Sequence, residues 1–274
     1  MRDILALTLR HDTWPNGLRY AAELAAMLEG RLTGLYVNEP AAAIAAYDSA
    51  MLVAELLALA REEVESARAK AAPFQAWAAG HAVRGSEWIV AEGRVAEVLP
   101  HAANWHDLLV LERDPDRPAG SAGVVGHAVL GAGVPCIVVP PGWAPPLRFE
   151  RIALAWNGST ESIRAAHAAL PLLRLAGQVT VLSGRRKESL SSLAWHPGFE
   201  LGRYLQSHGI GAVERPIETE DTEAGRALLD AAGSAGADLL VMGAYGRTRF
   251  SEYVFGGATR QVLEHAPLPT LMRH

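Results

Sequence analysis

The sequence has little of what marks secreted, membrane-spanning or nucleic-acid-binding proteins. A single cysteine, Cys136, excludes an intrachain disulfide and a zinc site built from several thiolates. No stretch approaches the roughly 20 apolar residues that a membrane span needs, and the first residues do not continue apolar as a signal peptide would. The 25 Lys and Arg are outnumbered by 30 Asp and Glu, so no basic face for nucleic acid or an anionic membrane is expected. Apolar residues make up 50% of the 274, which predicts a globular cytoplasmic protein with a large core.

Short apolar runs alternate with longer amphipathic segments, a pattern typical of β-α units around a parallel sheet. The first half predicts strands at 4–9, 31–37, 81–90, 107–112 and 135–140, and helices at 16–29, 49–79, 94–104 and 123–131. The second half predicts strands at 151–156, 178–183, 211–217, 238–243 and 269–273, and helices at 160–175, 196–208, 222–235 and 254–265. The proline-rich stretch 140–150 is expected to be a linker between the halves.

The two halves repeat each other. The run Asp-Leu-Leu-Val at 107–110 recurs at 238–241, an offset of 131 residues, and both copies follow a helix. The first strands of the halves also match, as do the last strands. A repeat of this kind predicts tandem α/β domains, at about 1–142 and 150–274, each a mostly parallel five-stranded sandwich with right-handed crossovers.

A glycine-rich loop follows the strand at 238–243. Gly243 and Gly246 precede nine residues and then Gly256 and Gly257, which open a helix. Glycine lets a backbone approach an anion closely, and the N–H groups at a helix N-terminus attract negative charge. The loop lies at the carboxyl end of a strand, where open α/β sheets bind ligands. This pattern favours phosphate binding, with a simple strand-to-helix turn as the alternative.

The chain resembles the universal stress protein family in this loop. ATP-binding members of that family carry Gly-x2-Gly-x9-Gly-(Ser/Thr) after the fourth strand, and the ending VLEHAPLPTLMR is similar to the family's last helix and strand. The family's first strand ends in Val-Asp-Gly-Ser, where this chain has Trp156-Asn157-Gly158-Ser159. The resemblance implies a Rossmann-like fold of the adenine nucleotide alpha hydrolase type in each half. It also implies that the fifth strands, 135–139 and 269–273, pair antiparallel in an intrachain pseudo-dimer with a pseudo-two-fold axis.

The resemblance implies ATP as the ligand of the second half, with the phosphates on the glycine loop and the nucleoside near Asn157. The nucleotide-binding residues that it implies are Ala155, Trp156, Asn157, Met242, Gly243, Tyr245, Gly246, Arg247, Gly256, Gly257 and Ala258. Two positions depart from the family pattern: Gly257 stands in place of the Ser/Thr, although Thr259 could supply a hydroxyl, and Asn157 stands in place of the Asp. An amide hydrogen-bonds ribose but lacks the charge that supports Mg²⁺.

The first half departs much further from the nucleotide-binding pattern. Glu112 and Pro115 stand where the second half has Gly243 and Gly246, and Asp114 and Asp116 add two more carboxylates. Carboxylates repel phosphate, and proline lacks an N–H donor. The chain is therefore expected to bind at most one nucleotide, in the second half.

Several residues permit a second interpretation. Asn157–Ser159 could be a turn and helix cap. Cys136 fits a buried small hydrophobe better than a redox centre. The spacing of His101 and His106 does not favour a metal site. The tryptophans of the first half could line a ligand groove or pack together: Trp77, Trp88, Trp105 and Trp143.

The function expected from the resemblance is a stress-response or signalling protein that binds an adenine nucleotide and an unknown protein partner, with homodimerisation open. No catalytic motif combines a nucleophile with a base and an acid. A nucleotide-free scaffold that acts by protein contact is the main alternative, and slow ATP hydrolysis or autophosphorylation is the next.

Overall fold

The computed structural model describes residues 1–39, 50–114, 116, 122–184, 200–218, 223–244 and 257–274. The chain divides into two compact units. The first comprises Met1–Val134 with Ala144–Leu147, and the second comprises Pro135–Trp143 with Arg148–His274. Among the described residues, no helix is both long and apolar enough to cross a membrane.

The first unit alternates strands and helices around a parallel sheet. Its strands are β1 (Asp3–Thr8), β2 (Arg31–Asn38), β3 (Gly85–Glu92) and β4 (Leu108–Glu112). Its helices are α1 (Asn16–Met27), α2 (Ala50–Arg68), α3 (Ala71–Gly80), α4 (Val95–Ala103) and α5 (Ala122–Gly131). The strands lie in the order β3-β2-β1-β4, with Ile4 of β1 opposite both Leu32 and Leu108. The central strands β1, β2 and β4 are largely apolar and buried on both faces, whereas in β3 only Trp88 is buried.

The second unit repeats this alternation and adds an antiparallel strand. Its strands are β5 (Cys136–Val139), β6 (Arg151–Trp156), β7 (Gln178–Ser183), β8 (Ala212–Pro216), β9 (Leu239–Gly243) and β10 (Thr270–Arg273). Its helices are α6 (Thr160–Leu173), α7 (Leu201–Ser207), α8 (Ala224–Ser234) and α9 (Gly257–His265). The strand order is β5-β10-β9-β6-β7-β8. Leu271 lies opposite Ile137, which confirms the predicted antiparallel pairing of the fifth strands.

The predicted single helix at 49–79 is wrong, since two helices, α2 and α3, occupy this stretch. The break lies at the turn formed by Ala69 and Lys70, and Lys70 is the N-cap residue of α3. Pro73 explains it, because its ring would clash with the carbonyl of Ala69 and it has no N–H to donate there. In the first turn of a new helix Pro73 is tolerated, since no intrahelical acceptor is needed. The remaining predicted elements in described regions are present, with ends that shift by a few residues.

The repeated aspartates perform the same structural task in both units. Asp107 Oδ2 accepts the backbone N–H groups of Arg2 and Asp3 at 2.5 and 3.2 Å. Asp238 Oδ2 accepts those of Glu150 and Arg151 at 2.7 and 3.1 Å. Each carboxylate therefore holds the start of its unit's first strand beside the fourth, which explains why the Asp-Leu-Leu-Val run recurs.

The two carboxylates differ in their electrostatic surroundings. Burial opposes the ionisation of Asp107, but hydrogen bonds from Arg2 and Asp3 and the N-terminal ammonium, 3.5 Å away, together lower its pKa. Burial raises the pKa of Asp238, and the nearby Glu150 carboxylate raises it further. Ionised Asp107 thus stabilises the fold, whereas ionisation of Asp238 opposes it.

Asp107→Asn is expected to lower the melting temperature at pH 7 and to have a smaller effect near pH 3. In the unaltered protein the pKa of Asp107 is lowered. The ionised carboxylate therefore stabilises the fold above the unfolded-state pKa, about 3.9, and this stabilisation is lost as the pH falls through the folded-state pKa. Asp238→Asn is the matched control, because it retains an oxygen acceptor and removes a charge whose ionisation opposes folding. We expect little or no loss at pH 7 for this variant. If the two variants lost equally in melting temperature at pH 7, the opposite effects assigned to the ionised forms of Asp107 and Asp238 would be contradicted.

Candidate functional site

The carboxyl ends of β6 and β9 form a crevice in the second unit. The two strands are parallel neighbours, with Leu154 opposite Val241. From β6 the chain crosses through α6 to β7 on one side, and from β9 it passes through α9 to β10 on the other. The strand order therefore reverses between β6 and β9, and ligands of open α/β sheets bind at such a point.

The turn after β6 is built by Asn157 and Ser159. Asn157 Oδ1 accepts the N–H of Ser159 at 3.1 Å, and Gly158 adopts a φ of +73° that favours glycine. Ser159 Oγ then accepts the N–H of Ser162 at 3.2 Å and caps α6. The turn-and-cap interpretation of this sequence is thus confirmed. Because Oδ1 serves the turn, the two amide N–H groups of Asn157 are the donors that a nucleoside would meet.

Gly243, at the end of β9, makes room for α6. A Cβ atom at this position would lie 2.5 Å from the carbonyl carbon of Glu161 and 2.6 Å from the nitrogen of Ser162. Both are backbone atoms that cannot move away without displacing the helix. Gly243 therefore allows the first turn of α6 to lie against the strand end, a packing role that the sequence pattern did not indicate.

Gly257 has a different environment at the other end of the glycine loop. It is exposed and begins α9, and no atom of the described residues lies within 4 Å of the position that a Cβ would take there. Its N–H belongs to the first turn of the helix, where backbone donors have no intrahelical acceptor. Gly257 thus lies in an exposed first helical turn, a feature that suits contact with an anion.

The other predicted site residues lie on the same strands or outside the described residues. Ala155 and Trp156 are half-buried at the end of β6, Met242 is buried on β9, and Ala258 is half-buried on α9. Thr259 is only 5% exposed, on the buried face of α9. The residues that lie outside the described ranges are Tyr245, Gly246, Arg247 and Gly256.

Glu161 is a carboxylate at the crevice that the sequence analysis did not select. It is 7% exposed in the first turn of α6, and its Cβ lies 2.8 Å from the position that a Cβ of Gly243 would take. An acidic residue in the first helical turn is stabilised by the helix dipole. Its location directly after the serine cap was the available signal for it.

The first unit inverts this arrangement at the equivalent crevice, between β1 and β4. Here the strand carries the acidic residue, Glu112, and the helix carries the glycine, Gly17. Glu112 Oε2 accepts the N–H of Gly17 at 2.8 Å, and a Cβ on Gly17 would lie 2.9 Å from that of Glu112. A side-chain carboxylate therefore contacts the N-terminus of α1, which is the counterpart of α6 in the second unit. Burial raises the pKa of Glu112, and Asp114 raises it further, although the Gly17 N–H and Arg10 oppose the shift.

Metal and redox alternatives find no geometric support in the described parts of the chain. No group of three or more His, Cys, Asp or Glu side chains among the described residues could hold a metal ion. His106 instead contacts Thr33 Oγ1 at 3.0 Å and the carbonyl of Ala102 at 2.8 Å. Burial raises the pKa of the Cys136 thiol to about 12, so the reactive thiolate is scarce at neutral pH.

The tryptophans that the structure brings together pack against each other. The rings of Trp77 and Trp88 lie 5.5 and 5.6 Å from that of Trp14, and all three surround Phe74. Trp88 Nε1 donates to the carbonyl of Ala67 at 2.9 Å. Trp105 is separate and 85% exposed. The packing interpretation therefore describes Trp77 and Trp88.

Comparison with known proteins identifies the second half. Residues 148–274 match the model of the universal stress protein family. The chain carries a universal stress protein domain. No curated protein matches the sequence.

Solved structures show that the fold extends over the whole chain. A universal stress protein from Archaeoglobus fulgidus aligns with 99% of this chain and 96% of its own, at 15% identity and a TM-score of 0.68. A protein of unknown function from Pseudomonas aeruginosa aligns with 100% of this chain and 92% of its own, at 17% identity and a TM-score of 0.58. At these identities the likeness concerns the fold. The first unit thus shares in the same tandem α/β architecture, although the family model covers only residues 148–274.

Proposed function

We propose that the universal stress protein domain of this chain binds one adenine nucleotide, ATP, at the β6–β9 crevice, and that it acts in stress response or signalling. The observation that carries the proposal is the open start of α9. Gly257 is exposed in the first turn of α9, where backbone N–H groups attract anions, and no atom of the described residues lies within 4 Å of the position that its Cβ would take.

The arrangement of donors fits a nucleotide. The amide of Asn157 is available to ribose hydroxyls at the end of β6, while the start of α9 serves the phosphates. The adenine would lie against the half-buried strand ends at Ala155 and Trp156, which supply apolar surface. Arg247 adds a cation to the same loop in sequence. Mg²⁺ receives weaker support, because Asn157 carries no charge and its Oδ1 serves the turn.

Gly257→Asp is expected to abolish ATP binding without destabilising the chain. The aspartate would place a carboxylate against the phosphates, while an acidic residue at a helix N-terminus contributes about 0.3–1 kcal/mol of stability. ATP at a hundredfold excess over its Kd should raise the melting temperature of the unaltered protein by about 5–10 °C. The variant should melt no lower than the unaltered protein and show no ATP-induced shift. Gly246→Asp should abolish the shift for the same electrostatic reason.

Two control variants show whether the added charge at Gly257 is what abolishes the ATP-induced shift in melting temperature. Gly257→Ala keeps the backbone N–H, adds no charge and should retain the full ATP-induced shift, because no atom of the described residues lies within 4 Å of the added Cβ. Gly142→Asp adds the same charge at an exposed position in the linker and should also retain it. A Gly257→Asp protein that still responds to ATP would reject the site. An unaltered protein with no shift at millimolar ATP would reject nucleotide binding altogether.

A nucleotide-free scaffold is the second candidate, favoured by apolar residues exposed on α2. Met51, Leu57 and Leu59 are 82%, 44% and 56% exposed, so α2 offers apolar side chains to a partner. In this alternative the protein acts by contact with a protein partner. Absence of any ATP-induced shift, together with capture of a partner that Leu59→Glu abolishes, would favour it.

A further inference from the structure

The first unit contains an apolar cleft at the crevice between β1 and β4. The cleft has a volume of about 570 Å³ when the solvent at its mouth is counted, and only a small part of this is enclosed, which suits a ligand of one ring. Apolar side chains form most of its lining, among them Leu7, Leu9, Val95, Leu111 and Val125. These residues come from β1, β4, α4 and α5 and from the turn after β1, so the cleft lies where the strand order changes direction.

The polar side chains that line the cleft are those of Thr8, Arg10, Glu112 and Asp114, so two of its three charged groups are carboxylates. Glu112 and Asp114 both line it, and Glu112 is held in place by the N–H of Gly17. Arg10 also lines the cleft, but its Nε lies 3.6 Å from the carboxylate of Asp12 and is thereby partly compensated. An anionic ligand would therefore meet two carboxylates, whereas a cation would meet opposite charge.

We propose that this cleft binds a small organic cation, an apolar body that carries a protonated primary amine, with the ammonium on Glu112. The apolar lining takes the body of the ligand, since burying apolar surface is favourable. An ammonium donates charge-assisted hydrogen bonds to a carboxylate and offsets the cost of keeping that carboxylate away from water. A bare divalent metal fits less well, because the lining offers mostly carbon atoms where such an ion needs six or more oxygens.

The neighbouring residues explain why the site selects an amine and not a phosphate. At the end of the fourth strand the second unit has Gly243, while the first unit has Glu112, whose carboxylate accepts the N–H of Gly17 in the first turn of α1. The same crevice of the repeated fold thus carries the opposite charge preference in the two units. The proposal for the first unit does not depend on ATP binding by the second unit, so failure of either binding test leaves the other proposal intact.

Three probes with one apolar body and different head groups test the proposal on the full chain. Benzylamine, benzyl alcohol and benzoate would be titrated at pH 7 and 0.15 M salt, with binding followed by ligand-detected NMR. We expect benzylammonium to bind at least tenfold more tightly than benzyl alcohol, and benzoate to bind more weakly than either. Binding of benzoate as tight as that of benzylammonium, or no binding of benzylammonium at millimolar concentration, would overturn the proposal.

A matched pair of variants tests whether the carboxylate of Glu112 is the group that binds the ammonium. Glu112→Gln keeps an oxygen acceptor for the N–H of Gly17, so the fold is preserved, but it removes the carboxylate. It should weaken benzylammonium about tenfold, as expected for the loss of one charge-assisted contact, and leave benzyl alcohol unchanged. Asp116→Asn removes the same charge from an exposed position outside the lining and should have no effect. Equal losses in the two variants would indicate non-specific attraction of cations and reject the site.

Discussion

Gly243→Ala should be among the most destabilising single-methyl additions in the chain, with a loss of about 3 kcal/mol or more in the free energy of unfolding. The added Cβ would lie 2.5 and 2.6 Å from backbone atoms of Glu161 and Ser162. Because backbone atoms of a helix cannot rotate away as a side chain would, α6 must shift from β9. The melting temperature should fall by about 6–12 °C.

Gly257→Ala is the matched control for this prediction. Both glycines bound the same loop, but a Cβ at Gly257 would have no atom of the described part of the chain within 4 Å, so the free energy of unfolding of this variant should change by no more than about 0.5 kcal/mol. Thermal melts of the two variants, followed by circular dichroism, make the comparison. If both variants melt with the unaltered protein, the close approach of α6 to Gly243 is incorrect.

Phe74→Ala should destabilise the first unit by about 3–5 kcal/mol. The Phe74 side chain is fully buried, its ring lies 5.0 Å from that of Trp88, and it lies against Gly34 of β2. Removing the ring leaves a cavity that three tryptophans and a strand backbone cannot readily fill. The emission of the packed tryptophans should shift to longer wavelength as water enters the cluster.

Trp105→Ala provides the control, because it deletes an even larger aromatic side chain from a position that is 85% exposed. We expect its urea midpoint to remain within the error of the unaltered protein, a change of about 0.5 kcal/mol or less. A loss comparable to that of Phe74→Ala would show that Trp105 is buried in solution, and an unchanged Phe74→Ala protein would contradict the packed cluster.

Features that repeat along the chain, or that follow a regular apolar pattern, could be predicted from the sequence. The recurrence of Asp-Leu-Leu-Val identified Asp107 and Asp238 as equivalent, and both hold the first strand of their unit by the same pair of hydrogen bonds. The apolar runs placed the strands for the same reason, since buried parallel strands are apolar along their whole length. The antiparallel pairing of β5 with β10 came from the family resemblance, because strand pairing over such a distance has no local signal.

The sequence could not predict features that depend on close approach between distant residues. Gly243 was interpreted as a residue that faces phosphate, while its missing side chain serves the packing of α6. The exchange of glycine and glutamate between strand and helix in the first unit, at Gly17 and Glu112, involves residues 95 positions apart. The break at Lys70 was missed because the amphipathic period continues through it, although Pro73 marked the place.

The binding stoichiometry of ATP tests the central claim most directly. Calorimetric titration of the full chain should give one nucleotide per chain, because Glu112 and Asp114 stand at and just after the end of β4, where the second unit has its glycine loop, and their carboxylates repel phosphate. The Glu112→Gln protein should give the same stoichiometry, since Asp114 and Asp116 remain and Pro115 has no N–H to donate. A stoichiometry of two, or the absence of heat at millimolar ATP, would contradict the account.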